Sequence, residues 1–430
     1  MSRAVITPAS VPLSGTPQLP GDKSISHRRA LLSLLINEDV VLTHFNAGAD
    51  CAATLDCLER LGKQVIRNSE RVIIRGETDW HSGELDCGNS GTTVRLLMGM
   101  LATREGEWVL RGDASLSRRP MERVAEPLRR MGAEIATTDG RLPVRIRGRK
   151  LRGIEYESPV SSAQVKTAVL LAAMQATGTT RYREPVLSRD HTERILGLKP
   201  DREGWLTVDP TDVSITADTL SATIPADPSA AAFWIGAALL VPGSAIAADD
   251  ILANPTRIAY IKLLREAGAN ILSDECRTEF GEDVAQIRVT HSTISSLKIS
   301  QADAAALIDE FPILAVIAAK NNGESEFTGI GELRVKESDR LAVMAEGLTR
   351  MGCRVDLRYD GMTITGAECL RGADIETQGD HRIAMAMAMA GLAAEGKTVI
   401  DQAECVTISD PGFWNELARF CPGCVEVTDG

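Results

Sequence analysis

The sequence predicts an α/β fold of two domains, and three observations lead to this prediction. First, the chain has 430 residues, about twice the length of an ordinary single domain. Second, one plan recurs along the chain with a period of about 65 to 80 residues, longer than that of common solenoid repeats. Third, the plan occurs six times, three times on each side of Pro225–Ala226–Asp227.

Each unit follows the same order of elements. A short polar cluster runs into a segment rich in Ala, Leu, Ile and Met, which predicts a buried helix. A strand-like run, a polar loop and a second helix follow. Because the loops at one end of βα units share a side, the six clusters are expected to face a common cleft between two domains. The clusters begin at Lys23, Cys87, Ser161, Asp227, Leu307 and Gly379.

The units differ in detail. The first predicts a strand over 40–45 and a helix over 52–62. The second has a strand at 108–110 and a polar loop over 112–119, and the second helix of the third is cut short at Gly197. In the sixth, Ala384–Met389 alternates with a period of two, as a half-buried strand would. Ala and Met are strong helix formers and the apolar run is long, so the repeat predicts a buried helix there.

The first polar cluster, Pro20–Arg29, has the composition of an anion site. A Pro-Gly breaker is followed by Lys, Ser, His and two Arg in the first turns of a predicted helix. Backbone N–H groups and cationic side chains can then converge on a phosphate or carboxylate. The alternative is an ordinary turn that caps a solvated helix.

Composition excludes several classes of protein. The net charge is -12 and aromatic residues make up 4%, which argues against a nucleic-acid-binding protein. No apolar run reaches the length of about 18 residues that a membrane span needs, so a cytoplasmic protein is expected. The six His and nine Cys show no zinc-like spacing. We interpret the Cys as reduced and structural; a redox-active Cys421–Cys424 pair is the alternative.

Six motifs, in order and spread over nearly the whole chain, resemble those of the EPSP synthase (3-phosphoshikimate 1-carboxyvinyltransferase) family. Each motif alone is weakly specific, but their joint occurrence is very specific. They are PGDKSISHR at 20–28, GNSGTT at 88–93, RRPM at 118–121, SAQVKT at 162–167, RVKESDR at 334–340 and DHRIAM at 380–385.

The resemblance implies a fold and a reaction. The family's fold is an inside-out α/β barrel of two domains, each with three βαβαββ repeats, joined by a two-stranded hinge. Residues 21–224 would form the N-terminal domain, and 1–20 plus 225–430 the C-terminal domain, with the active site in the interdomain cleft. The reaction transfers the enolpyruvyl group of phosphoenolpyruvate to the 5-hydroxyl of shikimate 3-phosphate through a tetrahedral intermediate. It releases phosphate and leads to aromatic amino acids.

The resemblance also implies site residues. Two phosphates and two carboxylates must be held together, which requires several fixed cations. The residues implied for shikimate 3-phosphate are Lys23, Ser24, Arg28, Ser162, Ala163, Gln164, Arg189, Asp309 and Lys336. Those implied for phosphoenolpyruvate are Lys23, Gly91, Arg119, Gln164, Arg340 and Arg382. Those implied for catalysis are Asp309 as base, Glu337 in proton transfer and Lys23 in assistance.

Without the resemblance, Asp309 would be interpreted as a helix N-cap and Glu337 as an ion-pair partner of Arg340. Three positions depart from the family pattern. Glu332 replaces a common Asn and is expected to point away or to pair with Arg334. Ala163 replaces a Ser of one subgroup, and Ile408 occupies the place of a Lys. In this family the absence of a side chain at Gly91 admits the herbicide glyphosate, so inhibition by glyphosate is expected.

Rival functions are less well supported by the sequence. The sister enolpyruvyl transferase that acts on UDP-N-acetylglucosamine usually carries a Cys in the loop that corresponds to 112–119, and this loop has none. A non-catalytic binder of phosphorylated metabolites would not need the retained catalytic residues. A nucleic-acid end-processing enzyme does not fit the acidic composition. Neither a metal nor an organic cofactor is implied, and a monomer is expected.

Overall fold

The computed structural model describes residues 2–69, 71–321 and 323–428. Positions 1 and 430, the outer limits of the predicted C-terminal domain, lie outside the described residues. The chain divides into two compact units. The described residues of 21–224 and 279–282 form the N-terminal unit, and those of 1–20, 225–278 and 283–430 form the C-terminal unit. The segment 279–282 is thus grouped with the N-terminal unit, although it follows the predicted boundary.

Helices and strands alternate along most of the described chain. The α-helices are α1 (Lys23–Leu32), α2 (Ala49–Arg60), α3 (Gly91–Leu101), α4 (Glu122–Arg130), α5 (Ala163–Ala173), α6 (His191–Leu196), α7 (Ala217–Leu220), α8 (Pro228–Leu240), α9 (Ala259–Glu266), α10 (Gln301–Leu307), α11 (Phe311–Lys320), α12 (Arg340–Arg350), α13 (His381–Leu392) and α14 (Phe413–Phe420). Short 3₁₀ turns cover Ser33–Leu35, Leu116–Arg118, Gly331–Val335 and Ala403–Ile408.

The strands are short. They are β1 (Arg3–Ile6), β2 (Ser14–Gly15), β3 (Val40–Thr43), β4 (Val65–Arg67), β5 (Arg71–Ile74), β6 (Gly83–Asp86), β7 (Gly106–Arg111), β8 (Glu134–Thr138), β9 (Arg141–Gly148), β10 (Glu155–Glu157), β11 (Thr180–Arg183), β12 (Leu206–Val208), β13 (Ala222–Thr223), β14 (Ala245–Leu252), β15 (Asn270–Glu279), β16 (Glu282–Thr290), β17 (Lys298–Ile299), β18 (Glu324–Thr328), β19 (Arg354–Arg358), β20 (Gly361–Thr365), β21 (Leu370–Arg371), β22 (Asp374–Ile375), β23 (Ala394–Glu395), β24 (Thr398–Asp401) and β25 (Val425–Thr428).

Sheets of one design recur along the described chain. In the N-terminal unit the strand orders are β13-β3-β5-β4, β6-β7-β9-β8 and the shorter β10-β11-β12. In the C-terminal unit they are β15-β16-β14-β2, β17-β18-β20-β19 and β22-β24-β1-β25. Each contains a parallel pair, such as β6 with β7, which α3 joins, and an antiparallel strand such as β9 beside it. This is the predicted βαβαββ plan.

Two sheets take their first strand from a distant part of the chain. β13 pairs in parallel with β3, about 180 residues earlier in the chain, and β2 pairs in parallel with β14. In a third sheet, β1 lies between β24 and β25 and is antiparallel to both. The segment that precedes α1 therefore completes two sheets of the C-terminal unit.

The cores are helical. In the C-terminal unit α8, α11 and α13 contact one another, and in the N-terminal unit α3 contacts both α1 and α5. Every residue of α8 and α13 is buried, which is typical of helices that are apolar on all sides. The alternating Ala384–Met389 segment lies within α13, so its prediction as a buried helix is confirmed. Sheets surround these helices, which gives the inside-out arrangement.

The polar clusters become the starts of the core helices. Side chains of Asp22, Ser90 and Ser162 cap α1, α3 and α5, and Asp227 and Asp380 cap α8 and α13. Each accepts a hydrogen bond from a backbone N–H of the first turn, as N-caps do. The short helix α6 ends at Gly197, which adopts the left-handed conformation (φ 67°) of a C-cap, as predicted. No helix of the described residues is long and apolar enough to span a membrane.

Candidate active site

In the N-terminal unit, Lys23 is the first residue of α1, and its ammonium group lies next to a carboxylate. Lys23 Nζ is 2.9 Å from Asp50 Oδ2, and the two side chains are 17% and 8% exposed. The ion pair holds the ammonium group at the surface of the helix start. Asp50 was not identified from the sequence, because it lies 27 residues away on α2.

Arg28 and Arg189 both reach Ser24. Arg28 Nη1 donates to Ser24 O (3.0 Å), and Arg189 Nη1 donates to Ser24 Oγ (3.3 Å). Arg28 is buried and also donates through Nε to Thr192 Oγ1 (3.0 Å), at the start of α6. The structure therefore brings Ser24, Arg28 and Arg189 together, although Ser24 and Arg189 are 165 residues apart in sequence.

The start of α3 forms a second group. A Cβ atom on Gly91 would lie 2.9 Å from Arg95 Nη1 and 3.3 Å from Arg119 Nη1. Arg95 Nη1 also donates to Gln164 Oε1 at 2.6 Å. The structure thus brings Gly91, Arg119 and Gln164 together around Arg95, which was not among the predicted site residues. Its position four residues after Gly91, on one face of a helix, was the available signal.

Ser162 and Ala163 form the start of α5. Ser162 is the N-cap, and its Oγ accepts from Val165 N at 3.5 Å. Gln164, in the same turn, donates from Nε2 to Thr92 Oγ1 of α3 at 3.2 Å. The first N–H groups of a helix carry partial positive charge and bind anions. The starts of α1, α3 and α5 therefore provide backbone donors and cations within one unit.

In the C-terminal unit, Arg340 is the centre of a group of three carboxylates. Its side chain is 1% exposed; Nε lies 2.7 Å from Asp380 Oδ2, Nη2 2.5 Å from Glu337 Oε2 and Nη1 3.6 Å from Asp309 Oδ1. Burial acts to lower the pKa of Arg340, but the three carboxylates outweigh it and raise this pKa above its usual value. Arg340 is therefore a fixed cation. Asp309 and Glu337, the two carboxylates predicted to move protons, share its guanidinium.

Arg382, the second residue of α13, contacts the same carboxylate. Its Nη1 donates to Asp309 O at 2.8 Å, and its Nη2 lies 3.8 Å from Asp309 Oδ2. The side chains of Asp309 and Glu337 are 19% and 16% exposed, so each keeps a surface that a ligand can reach. Two guanidinium groups beside them can hold phosphate or carboxylate groups.

The alternative interpretations of these carboxylates have different outcomes. Asp309 is not a helix N-cap, because α11 begins at Phe311 and its N-cap position is Glu310, without a side-chain hydrogen bond. The predicted ion pair between Glu337 and Arg340 is confirmed. It does not remove Glu337 from the site, because the same guanidinium contacts Asp309.

The structure also shows the contacts of two positions that depart from the family pattern, Glu332 and Ile408. Glu332 forms an ion pair with Lys336 (3.5 Å), while Arg334 pairs with Asp339 at 2.7 Å. Of the two expectations for Glu332, pairing with Arg334 is wrong: Glu332 pairs instead with Lys336, a predicted substrate residue. Ile408 packs against the apolar core of its unit. Within residues 2–69, 71–321 and 323–428, no three His, Cys, Asp or Glu side chains are grouped as metal ligands.

Six repeated α/β units, with Arg, Lys and carboxylate side chains gathered at the helix starts, define a protein of the enolpyruvyl transferase class. Residues 8–417 match the family model described as EPSP synthase (3-phosphoshikimate 1-carboxyvinyltransferase). The chain belongs to this family.

Similar proteins cover nearly the whole chain. The 3-phosphoshikimate 1-carboxyvinyltransferase of Salinibacter ruber is 46% identical, over 95% of this chain and 97% of the relative. That of Koribacter versatilis is 43% identical, over 97% and 99%. A solved structure of EPSP synthase from Acinetobacter baumannii superposes with a TM-score of 0.86 at 37% identity, covering 100% of both chains. These matches confirm the predicted fold class.

Proposed function

We propose that this protein transfers the enolpyruvyl group of phosphoenolpyruvate to the 5-hydroxyl of shikimate 3-phosphate and releases phosphate. It acts in the shikimate pathway to aromatic amino acids. Membership of the EPSP synthase family and the names of the relatives support this function. The observation that carries it is the shared guanidinium of Arg340, which lies beside the two carboxylates that proton transfer requires.

We assign the binding roles as the resemblance to the family implies them. The donors of α1, α5 and Arg189 bind shikimate 3-phosphate, together with Asp309 and Lys336. The start of α3, with Gly91 and Arg119, binds phosphoenolpyruvate together with Arg340 and Arg382. Lys23 and Gln164 serve both substrates. Arginine suits this task because its planar fork grips phosphate and carboxylate through two parallel hydrogen bonds.

The reaction has two stages. In the addition, Asp309 accepts the proton of the 5-hydroxyl while the oxygen of this hydroxyl forms a bond to C2 of phosphoenolpyruvate. At the same time an acid protonates the methylene carbon C3. In the elimination, a C3 proton is removed, the C2–O bond to phosphate breaks, and phosphate leaves with its electron pair. Glu337 gives and takes the proton at C3, and Lys23 assists. Carboxylates at fixed positions can perform both steps.

Phosphate release tests this function. Wild type, Asp309→Ala and Asp356→Ala are assayed with phosphoenolpyruvate, with and without shikimate 3-phosphate. Asp356 is an exposed carboxylate on β19 of the same unit and serves as the matched control. We expect release that requires shikimate 3-phosphate, persists in Asp356→Ala and collapses in Asp309→Ala.

Two other results would overturn the proposal. Release with UDP-N-acetylglucosamine but not with shikimate 3-phosphate would assign the protein to the sister activity. Binding of both substrates without release would make it a non-catalytic binder. We further propose a cytoplasmic monomer that binds no nucleic acid; light scattering after size exclusion, run with each substrate, tests the oligomeric state.

A further inference from the structure

The turn of one β-hairpin is packed within the N-terminal unit. β15 and β16 are joined at residues 279–282, and this segment belongs to the N-terminal unit by its contacts. Arg29 Nη2 donates to Phe280 O at 2.9 Å, and its guanidinium lies 5.6 Å from the centre of the Phe280 ring. A Cβ on Gly281 would lie 3.0 Å from Arg194 O, so the turn approaches the α6 backbone closely.

This turn places a buried carboxylate against α6. Glu282 is 1% exposed, and its Oε1 lies 2.7 Å from Nδ1 of His191, which is fully buried. Its Oε2 lies 3.6 Å from Arg194 Nε. An ionised carboxylate only accepts hydrogen bonds, so Nδ1 of His191 carries the proton and donates. Both oxygens of Glu282 are thus directed at residues of α6.

The segment 189–194, which includes the start of α6, also contains Arg189, a residue that binds shikimate 3-phosphate in the proposed function. Arg194 Nε donates to Asp190 Oδ2 at 3.0 Å, and Asp190 lies directly between Arg189 and His191 in sequence. Thr192 accepts from Arg28, and Arg189 donates to Ser24. Residues 189–194 therefore connect Glu282 to the cations that hold shikimate 3-phosphate.

Glu282 supplies both a hydrogen-bond acceptor and a negative charge to the groups around it. Arg29 and Arg194 are cations near it, and Arg29 is 1% exposed. Burial lowers the pKa of Arg29 to about 10, and the negative charge of Glu282 opposes this lowering. Without Glu282, Arg29 and Arg194 lose that counter-charge, and His191 Nδ1 loses its acceptor. The segment 189–194 would keep its contacts with Arg28 and Lys166 but lose the contact that fixes the His191 ring.

We infer that Glu282 is a positioning residue for shikimate 3-phosphate: through His191 and Arg194 it fixes the segment 189–194 and thereby the guanidinium of Arg189. The inference rests on the proposed function, in which Arg189 binds this substrate. It predicts a defect confined to one of the two substrates, because phosphoenolpyruvate is bound by other residues. A merely structural ion pair would affect both alike.

The test compares Glu282→Ala, Glu282→Gln and Thr278→Val. Thr278 lies in the same hairpin, and its hydroxyl bonds Asp283 rather than α6, so it is the matched control. KM is measured for each substrate, and shikimate 3-phosphate binding by calorimetry. We expect Glu282→Ala to raise KM and Kd for shikimate 3-phosphate about tenfold or more, since small displacements of positioning groups have such effects. KM for phosphoenolpyruvate should stay unchanged.

Rescue provides the second arm. The amide oxygen of Glu282→Gln can still accept from His191 Nδ1, so most of the affinity should return, and Thr278→Val should match the wild type. If Glu282→Ala does not fold, Glu282→Asp, which is one methylene shorter, should show a smaller rise of the same kind. Equal rises in both KM values, or a loss of kcat alone, would overturn the inference. If the wild type binds shikimate 3-phosphate but shows no turnover, the proposed reaction is refuted. The inference about Glu282 is still tested in that case, because calorimetry compares the binding of shikimate 3-phosphate among the variants.

Discussion

Replacing Arg340 by methionine removes the cation that three carboxylates of the C-terminal unit share. Asp380 is fully buried and loses the guanidinium at 2.7 Å. It keeps the hydrogen bonds from Ser338 Oγ (3.1 Å) and Arg382 N (3.0 Å). Glu337 and Asp309 are partly exposed, so water can take over their lost contacts. The main cost therefore comes from one unpaired buried carboxylate.

Removing one partner of a buried ion pair costs about 3–5 kcal/mol. The remaining hydrogen bonds of Asp380 place the expected loss at the lower end, about 3 kcal/mol. With a urea dependence of about 1.5–3 kcal/mol per M, the unfolding midpoint of the C-terminal unit should fall by about 1–2 M. Fluorescence of Trp234 and Trp414, both in this unit, follows the transition.

Arg350→Met is the matched control. Arg350 also contacts two carboxylates, Glu346 at 2.5 Å and Glu376 at 2.9 Å, but its side chain is 36% exposed. Water and salt screen such pairs, so its midpoint should stay close to that of the wild type. Equal midpoints for the two variants would refute the reasoning, because burial would then not distinguish the two arginines.

Two further predictions concern inhibition and pH. Gly91→Ala should raise the Ki for glyphosate, because the new Cβ meets Arg95 and Arg119; a steric cost of about 1–3 kcal/mol corresponds to about a 5- to 150-fold rise in inhibition assays, and an unchanged Ki would contradict it. Burial raises the pKa of Asp410 to about 7, although the hydrogen bond from the Gly412 backbone acts to lower this pKa. The folded protein then holds a proton that the unfolded chain releases near pH 4, so stability falls as pH rises from about 4 to 7. Asp410→Asn should therefore gain more in Tm over the wild type at pH 8 than at pH 5; an equal gain at both would contradict this.

The repeated units and most helix starts were predictable from sequence because their signals are local. Asp22, Ser90 and Asp380 stand in short polar clusters that run into apolar segments, which is typical of helix N-caps. The local signal misled at Asp309, where α11 begins two residues later and Pro312 occupies its first turn. The alternative that paired Glu332 with Arg334 was also wrong, since in the 3₁₀ turn Glu332 lies beside Lys336 and Arg334 pairs with Asp339.

Contacts over long separations had no such signal. Glu282 and His191 lie 91 residues apart, and neither stands in a motif that indicates the other. Arg340 could be assigned to phosphoenolpyruvate through the family pattern and its ion pair with Glu337 through their spacing, but Asp309 and Asp380 come from separate elements. The two-residue strands β2 and β13 are too short to show any periodicity.

The position of β1 sets an order of events during synthesis. This strand is hydrogen-bonded on one edge to β24 and on the other to β25, both of which leave the ribosome about 400 residues later. The N-terminal unit needs only the turn at 279–282 from outside residues 21–224, so most of it can form earlier. Until then, residues 3–6 have no partner strand. Such late, long-range pairing slows folding and exposes strand edges to aggregation, so the nascent chain is vulnerable at β1 until β24 and β25 have been made.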